Sequence, residues 1–190
     1  KKVLAFYAAH KRDLPWRRTT DPYRILVSEI MLQQTQVDRV VPYYERWRER
    51  WPTVQALARA DRHDVLRAWL GLGYNRRALS LHAAARLISE RFHGDVLAAL
   101  SSDETLPGIG PYTRRAVQIF ATNADAVTVD TNIRRILIHE FPNVTDATLW
   151  RLAERCLPSG RSREWHNALM DYGSLLATAK RTGVAPRTRQ

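Results

Sequence analysis

The sequence predicts an all-α fold arranged as two helical lobes. Segments with helical periodicity, bounded by capping residues, glycine and proline, follow one another along the 190 residues. The alternating pattern of a half-buried strand is nearly absent, and the short apolar run 126–129 is the one candidate. A third observation is a glycine-containing hairpin, Leu106–Thr113, that opens a further helix. Because 45% of the residues are hydrophobic, this length is enough to build one large domain or two small lobes.

The helices are predicted in order from their start and stop signals. Val3–His10 is a short amphipathic helix. Asp21 then caps a long helix, with Pro22 in its first turn, that runs from Tyr23 to about Arg50 with a break at Pro42. Further helices are expected at 53–60, 64–70, 76–91, 95–101, after the hairpin, after Asp130, at 146–157 and at 164–178, followed by a basic tail at 179–190.

The charge of the chain indicates a polyanionic partner. Thirty Lys and Arg residues against nineteen Asp and Glu residues give a formal net charge of +11. Such a surplus favours nucleic acid, and less strongly an anionic membrane surface. We find no apolar run that would span a membrane and no secretory signal. The single cysteine, Cys156, excludes an internal disulfide and is typical of a reducing compartment, so we expect a cytoplasmic location, at the nucleoid in a prokaryote.

The hairpin and one aspartate predict where the chemistry takes place. Helix starts carry N–H groups without intrahelical acceptors at the positive end of the dipole, which suits a phosphate. Gly108 and Gly110 lack side chains, so a nucleic-acid backbone can approach closely. The run 126–129 then ends at the carboxylate of Asp130. A phosphate-binding hairpin followed by an acid in a basic protein indicates chemistry on DNA.

Four motifs carry a resemblance to a known family: Arg12–Arg17, Ser28–Val37, Leu106–Thr113 with Val129–Asp130, and Asn167–Gly173. In this order they resemble the helix–hairpin–helix base-excision DNA glycosylases, the superfamily of endonuclease III and MutY, over nearly the whole chain. Ser28–Val37 is particularly similar to MutY, the adenine glycosylase. The resemblance implies a lobe of about residues 22–130, a second lobe of about 1–21 with 131–178, and an active site in the cleft between them.

The resemblance assigns the catalytic roles. Asp130 matches the aspartate that stabilises the cation-like sugar and positions water, a role compatible with capping the next helix. Glu29 matches the acid that protonates adenine N7, and burial would raise its pKa for that purpose. Tyr112 stands where bifunctional members carry the lysine that forms a Schiff base. Because a phenol forms no imine, we predict base removal without strand cleavage.

Two further groups of residues are carried over from the family. Gln34 matches the residue that wedges into the duplex, and Tyr74 the residue that stacks near the opposite base. The hairpin residues Gly108, Gly110 and Thr113 are expected to hold the DNA backbone, with room for a Na⁺ or K⁺ ion on the hairpin carbonyls. The candidate base-pocket residues are Arg12, Leu14, Trp16, Arg17 and Asn167, of which Leu14 and Trp16 are equally compatible with the core.

The sequence departs from the family where an iron–sulfur cluster is expected. Most relatives hold a [4Fe–4S] cluster with four cysteines near the C-terminus, whereas residues 174–181 contain none and Cys156 is the one thiol. We therefore expect no cofactor, and packing by Trp165, Leu169 and Leu176 in place of the cluster. The resemblance also does not extend to the C-terminal domain with which MutY recognises 8-oxoguanine.

The predicted function is a monofunctional mismatch DNA glycosylase that acts on double-stranded DNA as a monomer. Adenine opposite 8-oxoguanine or guanine is the leading substrate. Residues 21–26 and 157–171 also resemble the thymine-mismatch glycosylases, so thymine or uracil opposite guanine stays open. A protein that binds DNA without catalysis is the alternative from another class, although both carboxylates are present.

Overall fold

The computed structural model describes residues 2–175 and 179–183. Within these ranges the regular elements are helices, which confirms the all-α prediction. The chain forms two compact units: the hairpin unit, Leu14–Thr122, and the terminal unit, Lys1–Asp13 with Asn123–Gln190. The boundaries therefore lie near residues 13 and 122 rather than near 21 and 130. The segment before Asp130 belongs to the terminal unit because side chains of that unit hold it, as described below.

The helices of the described residues alternate with short loops. In chain order they are α1 (Lys2–His10), a 3₁₀ turn (Pro15–Arg17), α2 (Pro22–Leu32), α3 (Val37–Arg50), α4 (Val54–Ala58), α5 (Arg62–Trp69), α6 (Arg76–Arg91), α7 (Val96–Ser101), α8 (Pro111–Thr122), α9 (Thr131–Glu140), α10 (Asp146–Cys156), α11 (Ser162–Leu175) and α12 (Ala179–Thr182).

The long helix predicted for residues 23–50 is two helices, and its break was predicted at the wrong place. Pro42 lies inside α3, whereas the chain turns at residues 33–36 between α2 and α3. The run 126–129 is not a strand, because it pairs with side chains of α11 and not with a second strand. In the predicted tail, residues 179–182 form α12 and residues 184–190 lie outside the described residues.

Helix α2 is the centre of the hairpin unit. Asp21 caps it as predicted: the Oδ1 atom accepts hydrogen bonds from the backbone N–H groups of Tyr23 (2.8 Å) and Arg24 (3.2 Å). Helices α3, α6, α7 and α8 pack around α2. Trp47, on α3, makes edge-to-face contacts with Trp51 and Trp69. This aromatic cluster fixes α3 against α5.

The core of the terminal unit joins α9, α10 and α11, and α1 packs on α11. Of the residues expected to replace the cluster, Trp165 and Leu169 are buried in this core, and Leu176 lies outside the described residues. The buried members of the core are Val127, Ile133, Ile136, Leu137, Leu149, Ala153, Trp165, Leu169 and Tyr172. Among the helices that the structure describes, none combines the length and the apolar character needed to cross a membrane.

Candidate functional site

The hairpin exposes its two glycines and buries the apolar residues that alternate with them. Leu106 and Ile109 are buried, and the backbone N–H of Ile109 donates to the carbonyl of Leu106 at 3.1 Å. Gly108 and Gly110 are exposed. Gly108 has a φ of +73°, and a Cβ added there would lie 2.7 Å from the Cβ of Ser80. Position 108 thus requires glycine for its backbone conformation and for lack of space. A Cβ added at Gly110 would have no neighbouring atom within 4 Å.

Helix α8 begins at Pro111, directly after the hairpin. Its first-turn N–H groups lie at the positive end of the helix dipole, which suits a phosphate oxygen. Tyr112 is partly exposed in this turn, while the side chain of Thr113 is buried. Thr113 therefore presents little surface for a contact with DNA.

Arg114 holds the end of α7 and the loop that leads from α7 to the hairpin. Its guanidinium donates to the carbonyls of Ala99 (3.2 Å), Leu100 (2.9 Å) and Ser102 (3.1 Å), and also to that of Glu104. These carbonyls belong to the end of α7 and to the loop that follows, where helical carbonyls lack intrahelical donors. Arg114 is not singled out by the sequence, because no local signal distinguishes it from the neighbouring Arg115.

Gln34 and Tyr74 lie on two separate turns of the hairpin unit. Gln34 stands between α2 and α3, so it is on a turn rather than on a helix as the sequence suggested, and its φ is +60°. Tyr74 has a φ of +50°, and 64% of its side chain is exposed. Left-handed backbone is strained for residues other than glycine and concentrates at functional sites. Both turns project exposed polar or aromatic groups that suit contact with an opened duplex.

Glu29 lies on α2 between the buried residues Ser28 and Ile30. Glu29 itself is half-buried, so it is neither a core residue nor a fully solvated one. The Ser28 hydroxyl donates to the carbonyl of Ile25 at 2.7 Å and is therefore occupied within the helix. This position suits an acid that exchanges a proton with a ligand.

Asp130 is the N-cap of α9. Its Oδ1 atom accepts from the backbone N–H of Ile133 at 2.7 Å, and its Oδ2 atom accepts from the side-chain amide of Asn132 at 3.3 Å. Burial raises the pKa of Asp130 from its ordinary value, while these hydrogen bonds oppose the rise. The capping role that the sequence allowed is therefore present, and it holds the carboxylate in one orientation.

A buried histidine holds the segment that leads to Asp130. The Nε2 atom of His166 accepts from the backbone N–H of Thr128 at 3.0 Å, so its Nδ1–H donates to the carbonyl of Ser162 at 2.7 Å. The Ser162 hydroxyl donates to the carbonyl of Ala126, also at 2.7 Å. Neither His166 nor Ser162 was predicted as a site residue, because nothing local to them in the sequence shows that α11 holds residues 126–128.

Arg12 and Asn167 belong to the terminal unit, where Arg12 is partly buried and Asn167 is buried. Arg12 donates to the buried carboxylate of Asp171, which fixes its side chain. Asn167 is buried on α11. In the hairpin unit, Leu14 and Trp16 are buried, and Trp16 packs edge-on against Tyr44 with ring centroids 5.4 Å apart. The core interpretation of Leu14 and Trp16 thus fits their burial.

Each unit brings together its own part of the predicted site. Among the described residues, no group of three or more His, Cys, Asp and Glu side chains is arranged to hold a metal ion. The terminal unit carries Asp130, Arg12 and Asn167, and the hairpin unit carries Glu29, Gln34, Tyr74, Gly108, Gly110, Tyr112 and Thr113 with Leu14, Trp16 and the half-buried Arg17.

Known proteins similar to this chain include curated adenine DNA glycosylases. That of Mycolicibacterium smegmatis is 42% identical over 193 residues, which is 97% of this chain and 66% of that protein. That of Rattus norvegicus is 36% identical over 197 residues, which is 95% of this chain and 38% of that protein. The chain thus spans less than two thirds of the length of these relatives.

Solved structures share the fold. A thermostable thymine-DNA glycosylase is 29% identical, with a TM-score of 0.84 over 95% of this chain and 86% of that one. A non-covalent endonuclease III–DNA complex is 16% identical, with a TM-score of 0.78 over 94% of this chain and 84% of that one, which shows a common fold. The model of the HhH-GPD superfamily of base excision DNA repair proteins matches residues 27–159. The hairpin, the capped aspartate and this match agree, and the chain belongs to the HhH-GPD superfamily.

Proposed function

We propose that this chain is a monofunctional DNA glycosylase that removes adenine opposite 8-oxoguanine or guanine from duplex DNA. The observation that carries the proposal is Asp130, a carboxylate held at the start of α9 by the backbone N–H of Ile133 at 2.7 Å. The choice of adenine is supported by relatives at 42% and 36% identity that are named adenine DNA glycosylases.

The proposed reaction is hydrolysis of the N-glycosidic bond. Glu29 donates a proton to adenine N7, so the bond between C1′ and N9 breaks and its electron pair leaves with a neutral base. The sugar develops positive charge, which the carboxylate of Asp130 stabilises. Water then adds to C1′ and gives a proton to Asp130, a transfer that the raised pKa of this group favours. Free adenine and an abasic site are the products.

The proposed partner is double-stranded DNA carrying a mismatch or a lesion. Gln34 and Tyr74 would occupy the duplex where the base is extruded, and the exposed backbone of Gly108 and Gly110 would receive a phosphate. A Na⁺ or K⁺ ion on the hairpin carbonyls would add to this contact. The net charge of +11 supports salt-sensitive association with DNA. We propose that the protein acts as a monomer in the cytoplasm, at the nucleoid in a prokaryote.

The donor set of this sequence does not fit a [4Fe–4S] cluster. Four thiolates are needed, and Cys156 is the one cysteine among 190 residues. Its thiol is half-buried beside the core of the terminal unit, and burial raises its pKa, which disfavours the thiolate form that binds metals. We therefore assign no step and no structural role to a cluster.

Thymine or uracil opposite guanine is the second candidate substrate. The specific observation in its favour is the TM-score of 0.84 with a thymine-DNA glycosylase over 95% of this chain. The roles of Asp130 and Tyr112 are the same in both candidates, because neither depends on which base leaves. The two candidates therefore differ in the pocket that binds the base and not in the chemistry at the sugar.

Labelled duplexes decide between the candidates. The protein is incubated with duplexes carrying A:8-oxoG, A:G, T:G, U:G or matched pairs, and half of each sample is treated with alkali. Strand breaks at adenine that require alkali support the proposal, and breaks at thymine or uracil move the activity to the second candidate. An Asp130→Asn variant should lose base release and keep duplex affinity, since asparagine caps a helix about as well. Base release without change in that variant would refute the role of Asp130.

A further inference from the structure

Arg77 joins the two turns that carry Gln34 and Tyr74. It lies in the first turn of α6, and its Nη1 atom donates to the carbonyls of Ile30 at 2.8 Å and Met31 at 2.9 Å, with a third contact to Gln33. The end of α2 therefore receives one arm of the guanidinium. Carbonyls at a helix end lack intrahelical donors and carry negative partial charge, so a cation suits them.

The other arm of the guanidinium reaches both turns. The Nη2 atom of Arg77 donates to the hydroxyl of Thr35 at 2.9 Å and to the carbonyl of Gly73 at 3.1 Å. Gln34 is thus bracketed by bonded neighbours on both sides, and Tyr74 directly follows a bonded residue. The indole N–H of Trp69 also donates to the Gly73 carbonyl at 3.1 Å, which strengthens the second anchor.

The acceptors around Arg77 are carbonyl and hydroxyl oxygens rather than a carboxylate. Burying a cation without an acidic partner costs free energy, which the hydrogen bonds to these oxygens offset. Burial accordingly lowers the pKa of Arg77 from its usual range. The guanidinium also lies 5.3 Å from the ring centroid of Trp69 and 5.5 Å from that of Tyr74.

Both bracketed residues adopt strained backbone. Gln34 and Tyr74 have φ values of +60° and +50°, and such conformations persist only when the surroundings impose them. We propose that Arg77 is a positioning residue that holds the Gln34 and Tyr74 turns as one rigid element, so that both side chains engage an opened duplex together. This inference rests on the proposed function for the DNA contacts of Gln34 and Tyr74.

Arg77→Lys keeps the positive charge and removes the forked donor geometry of the guanidinium. A lysine ammonium is a point charge that cannot bond to both turns in the same way. The matched control is Arg76→Lys, the same change at the adjacent exposed position of α6. Base opening is measured by the fluorescence of 2-aminopurine placed at the target position, and base release by single-turnover kinetics. We expect Arg77→Lys to lower both by about tenfold or more, with matched-duplex affinity unchanged. Arg76→Lys should behave like the unmodified protein.

A double-mutant cycle distinguishes positioning from general stability. If Arg77 acts through the two turns, Arg77→Lys should change base opening by less than about twofold in a Gln34→Ala, Tyr74→Ala background. Additive effects, or normal base opening in Arg77→Lys, would overturn the inference. If Arg77→Lys also lowers the unfolding temperature, the Thr35→Val variant distinguishes positioning from instability, because it removes one acceptor of Arg77 and keeps the arginine. A 2-aminopurine signal in Thr35→Val equal to that of the unmodified protein would count against the inference. Because base opening is read without hydrolysis, absent base release would refute the proposed function and leave this test intact.

Discussion

Asp171 holds Arg12 at two points: its Oδ1 atom accepts from Nε of Arg12 at 2.6 Å, and its Oδ2 atom accepts from the backbone N–H of Arg12 at 3.0 Å. The carboxylate is completely buried on α11, and Arg12 follows α1. The contact therefore fixes the chain after α1 against α11. The motif around Arg12 that the sequence associated with a base pocket includes a structural ion pair.

Asp171→Asn should lower the free energy of unfolding by about 3 kcal/mol, because it leaves the Arg12 guanidinium partly buried without its charged partner. Urea unfolding measures this change. Glu164→Gln is the control, since it breaks the exposed ion pair between Arg161 and Glu164 (2.7 Å) and should leave the midpoint unchanged. Equal losses of unfolding free energy in the two variants would show that the buried ion pair contributes no more to stability than the exposed one.

The two hairpin glycines should respond differently to substitution by alanine. Gly108→Ala should lower the free energy of unfolding by about 2 kcal/mol, because residue 108 has a φ of +73° and the new Cβ would overlap Ser80. At Gly110 a Cβ meets nothing within 4 Å, so Gly110→Ala should fold normally. If a phosphate approaches that backbone, the methyl group should still weaken duplex binding by about fivefold. Fluorescence anisotropy with a labelled duplex measures the affinity.

Gly160→Ala controls for backbone strain at a glycine of the terminal unit. Gly160 has a φ of +69° with open space around it, so this variant should lose stability and retain duplex affinity. Duplex affinity that is the same in Gly110→Ala and the unmodified protein would mean that the DNA backbone does not reach position 110.

The sequence was sufficient where a structure depends on neighbours in the chain. The limits of α6, Arg76–Arg91, and the capping of α9 by Asp130 agree with prediction, since periodicity and caps are local. The turn at residues 33–36 was missed and a break was placed at Pro42. The carbonyls at the end of α2 are bonded by Arg77, which is distant in the sequence, and no local pattern announces such a contact. His166 was missed for the same reason.

His166 should make the terminal unit sensitive to acid. Burial lowers the pKa of His166 from its ordinary 6.5, so the unfolded chain binds a proton at a higher pH than the folded chain does. The stabilisation is complete above pH 6.5 and is lost as the pH falls toward the lower pKa of the folded state. Protonation would also remove the acceptor at Nε2 that holds the N–H of Thr128 at 3.0 Å.

His166→Gln provides the comparison, because its amide oxygen accepts a hydrogen bond and does not titrate in this range. The free energy of unfolding is measured for both proteins between about pH 5 and about pH 8. The unmodified protein should lose more stability than the variant below pH 6.5, and Asp130, which both proteins share, cancels in the difference. Parallel curves would refute the role of His166 as an acid-sensitive anchor.

Tyr112→Lys should introduce strand cleavage. Tyr112 is partly exposed in the first turn of α8, and lysine is a good helix former, so the variant should fold. A lysine amine near C1′ would add to the sugar and form an imine, which borohydride reduces to a stable protein–DNA adduct. We expect this adduct with Tyr112→Lys on an abasic duplex and none with the unmodified protein, both assayed by denaturing electrophoresis. The exposed Arg115→Lys change, one helical turn further along α8, controls for a lysine that is merely nearby. Efficient trapping of the unmodified protein would overturn the monofunctional assignment, because another amine would then reach the sugar.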